Sequence, residues 1–139
     1  MIKWETEKRV VVVEDDHVTR MMYRTFLEKA GYNVQLACDG EAGWQLIQES
    51  HPHVILLDVM LPKISGPELL KRLKAAPALS RIPVIVFTNA LIPTALEAAK
   101  SAGADLVLDK SNIAPPMVLN ALTGLLIEAS KQKPQVTGS

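Results

Sequence analysis

Apolar residues come in five short runs, and each run closes on polar residues. Arg9-Val10-Val11-Val12-Val13 leads into Glu14-Asp15-Asp16, and Val54-Ile55-Leu56-Leu57 leads into Asp58. Unbroken runs of β-branched and aliphatic residues at this length predict strands buried on both faces, as in a parallel sheet under helices. Val34 to Ala37 predicts a shorter second strand. Pro83-Val84-Ile85-Val86-Phe87 predicts a fourth, ending in Thr88-Asn89, and Asp105-Leu106-Val107-Leu108 a fifth, ending in Asp109-Lys110.

Between the runs the period changes to that of a helix. From His17 to about Ala30, Met22, Phe26 and Ala30 recur at i, i+4 and i+8, with Tyr23 and Leu27 beside them. Asp16 is placed to cap this helix and Gly31 to stop it. A second helix starts at Asp39-Gly40, with Ala42, Leu46, Trp44 and Ile47 inward, and ends before Pro52. Ser65 and Pro67 open a third, whose apolar face is Leu69, Leu70 and Leu73, and which stops by Pro77. Pro93 to Ala102 forms a fourth, ended by Gly103. Pro115 and Pro116 open a fifth, running to about Ala129, with Val118, Leu122 and Leu125 in the core and Leu119 and Leu126 at their side. Met117 and Ile127 fall outside that stripe, as on a helix with a second neighbour.

Five strands alternating with five helices predict an α/β fold. It is a doubly wound, five-stranded parallel sheet of order 2-1-3-4-5, with right-handed crossovers and a crevice above strands 1 and 3. One domain is expected over residues 8–130, followed by a polar tail over 131–139. The length of 139 residues and an apolar fraction of 48% agree with one full core.

Charge narrows the functional classes. Lys+Arg and Asp+Glu balance at 15 each, so no basic excess draws the chain to nucleic acid or anionic lipid. One cysteine, Cys38, excludes an internal disulfide and suits a reducing compartment. No apolar run is long enough to span a membrane, and the charged N-terminus lacks the apolar centre of a signal peptide. A soluble cytoplasmic protein is expected.

The chemistry gathers at strand ends. Glu14 and Asp15 follow strand 1, Asp58 ends strand 3, Thr88 follows strand 4 and Lys110 follows strand 5. Parallel strands put all of them on one edge of the sheet, the edge where open α/β sheets bind ligands. Taken singly, each has an ordinary reading. Glu14-Asp15-Asp16 suits the start of a helix, Asp58 and Thr88 suit strand ends, and Lys110 suits a solvated surface. Together they make another case. Three carboxylates at one spot repel unless a cation joins them, and hard oxygen ligands suit Mg²⁺ better than zinc. A lysine and a hydroxyl beside such a cluster match phosphoryl oxygens, and a carboxylate can itself be the nucleophile.

The set Val13-Glu14-Asp15-Asp16, Leu57-Asp58-Val59-Met60-Leu61-Pro62, Thr88-Asn89-Ala90 and Asp109-Lys110 closely resembles the receiver domain of two-component response regulators, a flavodoxin-like fold. The resemblance runs from about Lys8 to Ser130 and is nearest to single-domain, chemotaxis-type regulators. It implies that Asp58 is the phosphoacceptor and that Glu14, Asp15, Asp58 and the backbone carbonyl of Met60 surround Mg²⁺. It implies that Thr88 is the switch hydroxyl, and that Lys110 pairs with Asp58 before phosphorylation and with the phosphoryl group after it. It also implies weak self-phosphorylation and self-dephosphorylation. Met60 and Ala90 occupy the positions that flank the path of the hydrolytic water in the family. Three positions depart from the family pattern. Ser111 stands where proline, usually after a cis bond, is common. Val107 replaces the usual aromatic residue of strand 5, and Asn89 replaces a small residue after the switch threonine. These bear on how the signal spreads, since no chemical group of the site is lost.

With no helix-turn-helix and no second enzymatic motif, the output is expected to be a protein contact. The chain reads as a stand-alone receiver or one cut from a longer protein. Implied partners are a histidine kinase or histidine phosphotransfer domain, approaching past Val18 and Met22 on helix 1, and a downstream target. The surface of helix 4, strand 5 and helix 5 would meet that target or a second copy of the chain. A pseudo-receiver that binds partners without phosphoryl chemistry is the alternative, against which Glu14, Asp15, Asp58, Thr88 and Lys110 all stand. A flavin-binding protein of the same architecture would need a phosphate-binding loop after strand 1, where Glu14-Asp15-Asp16 would repel the phosphate.

Overall fold

The structure, a computed structural model, describes residues 8–88, 93–111 and 113–131. Strands β1 (Arg9–Val13), β2 (Asn33–Ala37), β3 (Val54–Asp58), β4 (Val84–Thr88) and β5 (Leu106–Asp109) alternate with helices α1 (His17–Lys29), α2 (Gly40–Ser50), α3 (Gly66–Ala75), α4 (Pro93–Ser101) and α5 (Pro115–Lys131). The sheet is parallel throughout and ordered β2-β1-β3-β4-β5. This is the predicted α/β topology, strand for strand. α5 continues to Lys131, and residues 132–139 of the expected tail lie outside the described residues.

Alternate residues of each central strand serve the two faces. Val11, Val13, Ile55, Leu57, Val84 and Val86 pack with Ile47 of α2, Leu69, Leu70 and Leu73 of α3, and Ala99 of α4. Val10, Val12, Val54, Leu56, Ile85 and Phe87 pack with Tyr23 and Leu27 of α1 and with Val118 and Leu122 of α5. Burial on both faces is why β1, β3 and β4 carry unbroken aliphatic runs. Each such side chain contributes about 1.5–3 kcal/mol relative to exposure.

Two helices turn differently from the sequence reading. On α1 the buried residues are Tyr23 and Leu27, while Met22 and Ala30 are exposed and Phe26 is half-buried. Two apolar stripes one residue apart compete on this helix. The Tyr23 stripe wins because its ring meets Phe87 edge-on, with centroids 5.2 Å apart. On α2, Ala42 is exposed, Leu46 and Trp44 are half-buried, and Gly40, Gly43 and Ile47 face inward. A Cβ on Gly43 would stand 2.9 Å from Cγ1 of Val13, so the helix rests on β1 through a residue without hydropathy. On α5, Leu125 is half-buried beside the fully buried Val118 and Leu122.

The helix starts follow local chemistry. Asp16, Asp39 and Ser65 each accept a backbone N–H three residues on, from Thr19, Ala42 and Glu68. These caps fix where α1, α2 and α3 leave the carboxyl edge of the sheet, and so fix the walls of the crevice there. No helix among the described residues is long and apolar enough to cross a membrane.

Candidate functional site

Strand register brings the polar residues together. Val13 pairs with Leu57, so Glu14 and Asp58 emerge side by side from β1 and β3. Asp58 pairs with Phe87, so Thr88 lies one step beyond on β4, and Thr88 pairs with Asp109, so Lys110 lies one step beyond on β5. Glu14, Asp15, Asp16, Thr19, Asp58, Met60, Thr88 and Lys110 line one cleft of about 520 Å³ at this edge.

Glu14, Asp58 and Thr88 are 1%, 5% and 2% exposed, so polar groups occupy strand-end positions as buried as the core. A buried carboxylate needs partners. Glu14 finds two. The backbone N–H of Asp16 donates to its Oε2 at 2.8 Å, and the Lys110 ammonium donates to its Oε1. The same ammonium lies 3.2 Å from Oδ2 of Asp58, while the N–H of Met60 donates to the other oxygen, Oδ1, at 3.3 Å. Lys110 approaches over the ring of Phe87, 4.7 Å from its centroid, and its own N–H donates to the Thr88 carbonyl at 3.0 Å. The ring and the strand bond together hold the ammonium over the cleft floor.

Burial, opposed by the hydrogen bond from Lys110, pushes Glu14 up to about 7. For Lys110 burial works downward, but the Glu14 bond and the charges of Asp58 and Glu14 outweigh it, and the lysine is held above its ordinary value. The cleft thus presents a firmly protonated ammonium beside carboxylates.

The loop after β3 closes the far wall. The N–H of Gly66 donates to the Val59 carbonyl, and a Cβ at Gly66 would stand 2.5 Å from the Asp58 carbonyl. Glycine there lets the start of α3 lie against the backbone of Asp58. After β5, the N–H and hydroxyl of Ser111 both donate to Oδ1 of Asp109, at 2.9 and 2.6 Å. A proline at this position would have no N–H to give. The described residues contain no cis peptide bond, so the turn after Lys110 takes a trans, side-chain-braced form.

One carboxylate oxygen from each of Glu14, Asp15 and Asp58 lies within 4.8 Å of the others. Three hard anionic oxygens at that spacing, open to solvent through exposed Asp15, fit a hard divalent cation that keeps several waters. All of the residues singled out from the sequence, Glu14, Asp15, Asp58, Met60, Thr88 and Lys110, meet in the cleft. Asn89 and Ala90 lie outside the described residues.

Two further contributors had weak signals in the sequence. Phe87, read there as strand core, floors the cleft beneath Lys110. Arg20, on the first turns of α1, donates from Nη1 to the carbonyls of Glu14 and Asp15. Its only signal was a cation near a helix start, where the helix dipole disfavours one.

Comparison with known proteins agrees with this geometry. Residues 10–122 match the response regulator receiver domain family. The chain is 31% identical over 122 residues to the polar-differentiation response regulator DivK of Brucella ovis, covering 88% of this chain and 98% of that protein. It is 33% identical over 117 residues to a gliding motility regulatory protein of Myxococcus xanthus, covering 84% of this chain but only 15% of the length of that much longer protein. A CheY-like response regulator receiver domain protein from Methanospirillum hungatei superposes with a TM-score of 0.85 at 26% identity, over 91% of this chain and 99% of the other. With a family match over residues 10–122 and a five-stranded parallel sheet of order β2-β1-β3-β4-β5, the chain belongs to the response regulator receiver domains of two-component signalling.

Proposed function

We propose that residues 8–130 act as a phosphorylation-dependent switch whose phosphoacceptor is Asp58. The observation that carries the reading is the placement of the Lys110 ammonium between Glu14 and Asp58 at the floor of a solvent-open cleft. A carboxylate oxygen of Asp58 would attack phosphorus on a partner's phosphohistidine. The new O–P bond makes an aspartyl phosphate as the P–N bond breaks, and the imidazole leaves with the electron pair. Lys110 would pair with the incoming phosphoryl oxygens, and the Thr88 hydroxyl would bond to them only in the phosphorylated state.

Glu14, Asp15, Asp58 and the Met60 carbonyl would hold Mg²⁺, which when bound offsets negative charge on the carboxylates and the phosphoryl oxygens. The chain's own part is to fix those oxygens. Register places Glu14 beside Asp58, and the Asp16 and Met60 N–H groups orient their carboxylates.

The phosphodonor, a histidine kinase or phosphotransfer domain, would come in over α1, where Val18 and Met22 are exposed next to the cleft. The output would be a protein contact made by α4, β5 and α5, to a target or to a second copy, and exposed Met117 and Ile127 on α5 support it. The single cysteine suits a cytoplasmic setting.

The test is incubation with Mg²⁺ and acetyl phosphate followed by intact mass. A gain of one phosphoryl group in the parent and none in Asp58→Ala is expected. No gain in the parent, or a gain that persists in the variant, overturns the assignment of Asp58 and favours a binding module without phosphoryl chemistry.

A further inference from the structure

The carboxylate of Asp15 projects into the cleft with no hydrogen bond or ion pair among the described residues. Glu14 is oriented by Lys110 and by the Asp16 N–H, and Asp58 by Lys110 and the Met60 N–H. Asp15 has only its backbone to aim it. That backbone is held by two side chains: Oε2 of Glu14 accepts the Asp16 N–H at 2.8 Å, and Arg20 takes the carbonyls. Nη1 of Arg20 donates to the Glu14 carbonyl at 2.8 Å and to the Asp15 carbonyl at 3.2 Å.

Those two carbonyls belong to the two peptide units that flank the Asp15 Cα. Each peptide unit is planar, and the second is held at its N–H as well as its oxygen, so these bonds restrain both planes and with them the direction of the Asp15 Cα–Cβ bond. The guanidinium has a further neighbour on α1. Arg20 is half-buried on α1, and its Nη2 lies 3.2 Å from Nδ1 of His17. A planar guanidinium directs its N–H groups as a rigid fork, which a flexible ammonium reproduces only in part.

We propose that Arg20 is a positioning residue of the metal site, acting through the backbone to aim Asp15. The proposal rests on the Mg²⁺ reading above. A rival role has the opposite sign. As a cation near an acidic cluster, Arg20 would repel a divalent ion, and its removal would tighten metal binding. Positioning predicts weaker binding on removal, because a mobile Asp15 must be ordered when the metal arrives.

The experiment is calorimetric titration of the full chain with Mg²⁺ alone, without phosphodonor, for the parent, Arg20→Ala, Arg20→Lys and Asp15→Ala, with thermal melts in EDTA alongside. Arg20→Ala should weaken Mg²⁺ binding by roughly tenfold. Arg20→Lys, which keeps the charge and one donor, should recover part of the loss, and Asp15→Ala should bind no Mg²⁺. The melts should differ by only a few degrees, so that the loss is not one of folding. Should Arg20→Ala fail to fold, Arg20→Met keeps the apolar stem without a donor or charge and carries the same comparison. Parent-like or tighter binding by the Ala or Met variant, or a Lys variant no better than Ala, overturns the role of Arg20 alone. A parent that takes up no Mg²⁺ overturns the metal reading and this inference with it.

Discussion

The ammonium of Lys110 stands 3.2 Å from Oδ2 of Asp58, a residue 52 positions earlier in the chain. It reaches there across the face of Phe87 and bonds to Glu14 at the same time. One cation therefore serves two buried carboxylates, with Asp15 beside them. In the metal-free protein the negative charge is under-compensated, and that sets the behaviour of the site.

Glu14 is the group that responds. Burial raises its folded value to about 7 from an ordinary 4.5. Between those values the folded state holds a proton that the unfolded state has released, so the stability this group contributes is present below about 4.5 and lost as pH rises through about 7. In EDTA, the melting temperature should fall by on the order of 5 °C between pH 5 and pH 7.5. Glu14→Gln, which cannot titrate, should flatten that slope. Melts of both proteins across the range check this, and an equal slope in the variant would show that another group is responsible.

The capping carboxylate Asp39 has the opposite sign. The N–H of Ala42 chiefly, with Lys63 nearby, holds it below the ordinary carboxylate value. Its stabilising effect is present above the unfolded value and lost as pH falls through the folded one. Asp39→Ala should cost about 1 kcal/mol at neutral pH. The difference between the two proteins should begin to shrink once pH falls below the unfolded value and go on shrinking as the parent's carboxylate is protonated in the folded state. Urea unfolding at pH 7 and pH 3 measures both, and a gap that persists at pH 3 would locate the effect elsewhere than in the ionised cap.

Thr88, proposed above as the switch hydroxyl, gives a functional prediction. Thr88 is buried at the end of β4, one strand from Asp58. Thr88→Ala should still gain a phosphoryl group from acetyl phosphate, since the nucleophile and Lys110 are untouched. Its partner affinity, however, should change by less than half as much on phosphorylation, because a contact made only in one state biases only that state. Titration of a captured partner with phosphorylated and unphosphorylated forms of both proteins decides it. Equal responses would remove Thr88 from the relay.

Particular residues explain why so much of this was legible in the sequence. β1, β3 and β4 are buried on both faces, so they had to be continuous aliphatic runs, and a parallel sheet had to put Glu14, Asp58, Thr88 and Lys110 on one edge. Helix orientation was less legible because it is set by contacts, not by period. Met22 and Tyr23 both lie on apolar stripes, and only the meeting of Tyr23 with Phe87 decides between them. Gly43 faces inward because its hydrogen lets α2 approach Val13, and a hydropathy pattern gives glycine no direction. Arg20 left only a weak signal for a related reason, since its partners are backbone carbonyls, which every residue has.

The lifetime of the phosphorylated state should follow from the rim of the cleft. Hydrolysis of an aspartyl phosphate needs a water in line with phosphorus, opposite the Asp58 oxygen. Met60 lies on that rim, 57% exposed, with a thioether that accepts hydrogen bonds only weakly. Its backbone N–H is turned to Oδ1 of Asp58, which leaves the side chain to shield the approach and not to order a water. The second flanking position is Ala90, which has no polar group to offer. Slow self-dephosphorylation is expected, suited to a sustained output. Met60→Asn with Ala90→Glu supplies an amide and a carboxylate that can hold and orient a water, and should speed hydrolysis by about tenfold, or about 1.4 kcal/mol in the barrier. Met60→Asn alone should give part of that increase, since it both opens the approach and adds a donor. The measurement is the decay of phosphorylated protein in Mg²⁺ buffer, without kinase or phosphatase. Unchanged or slower decay in the double variant would mean that these two side chains do not set the rate, and that access of water past Thr88 and Lys110 does.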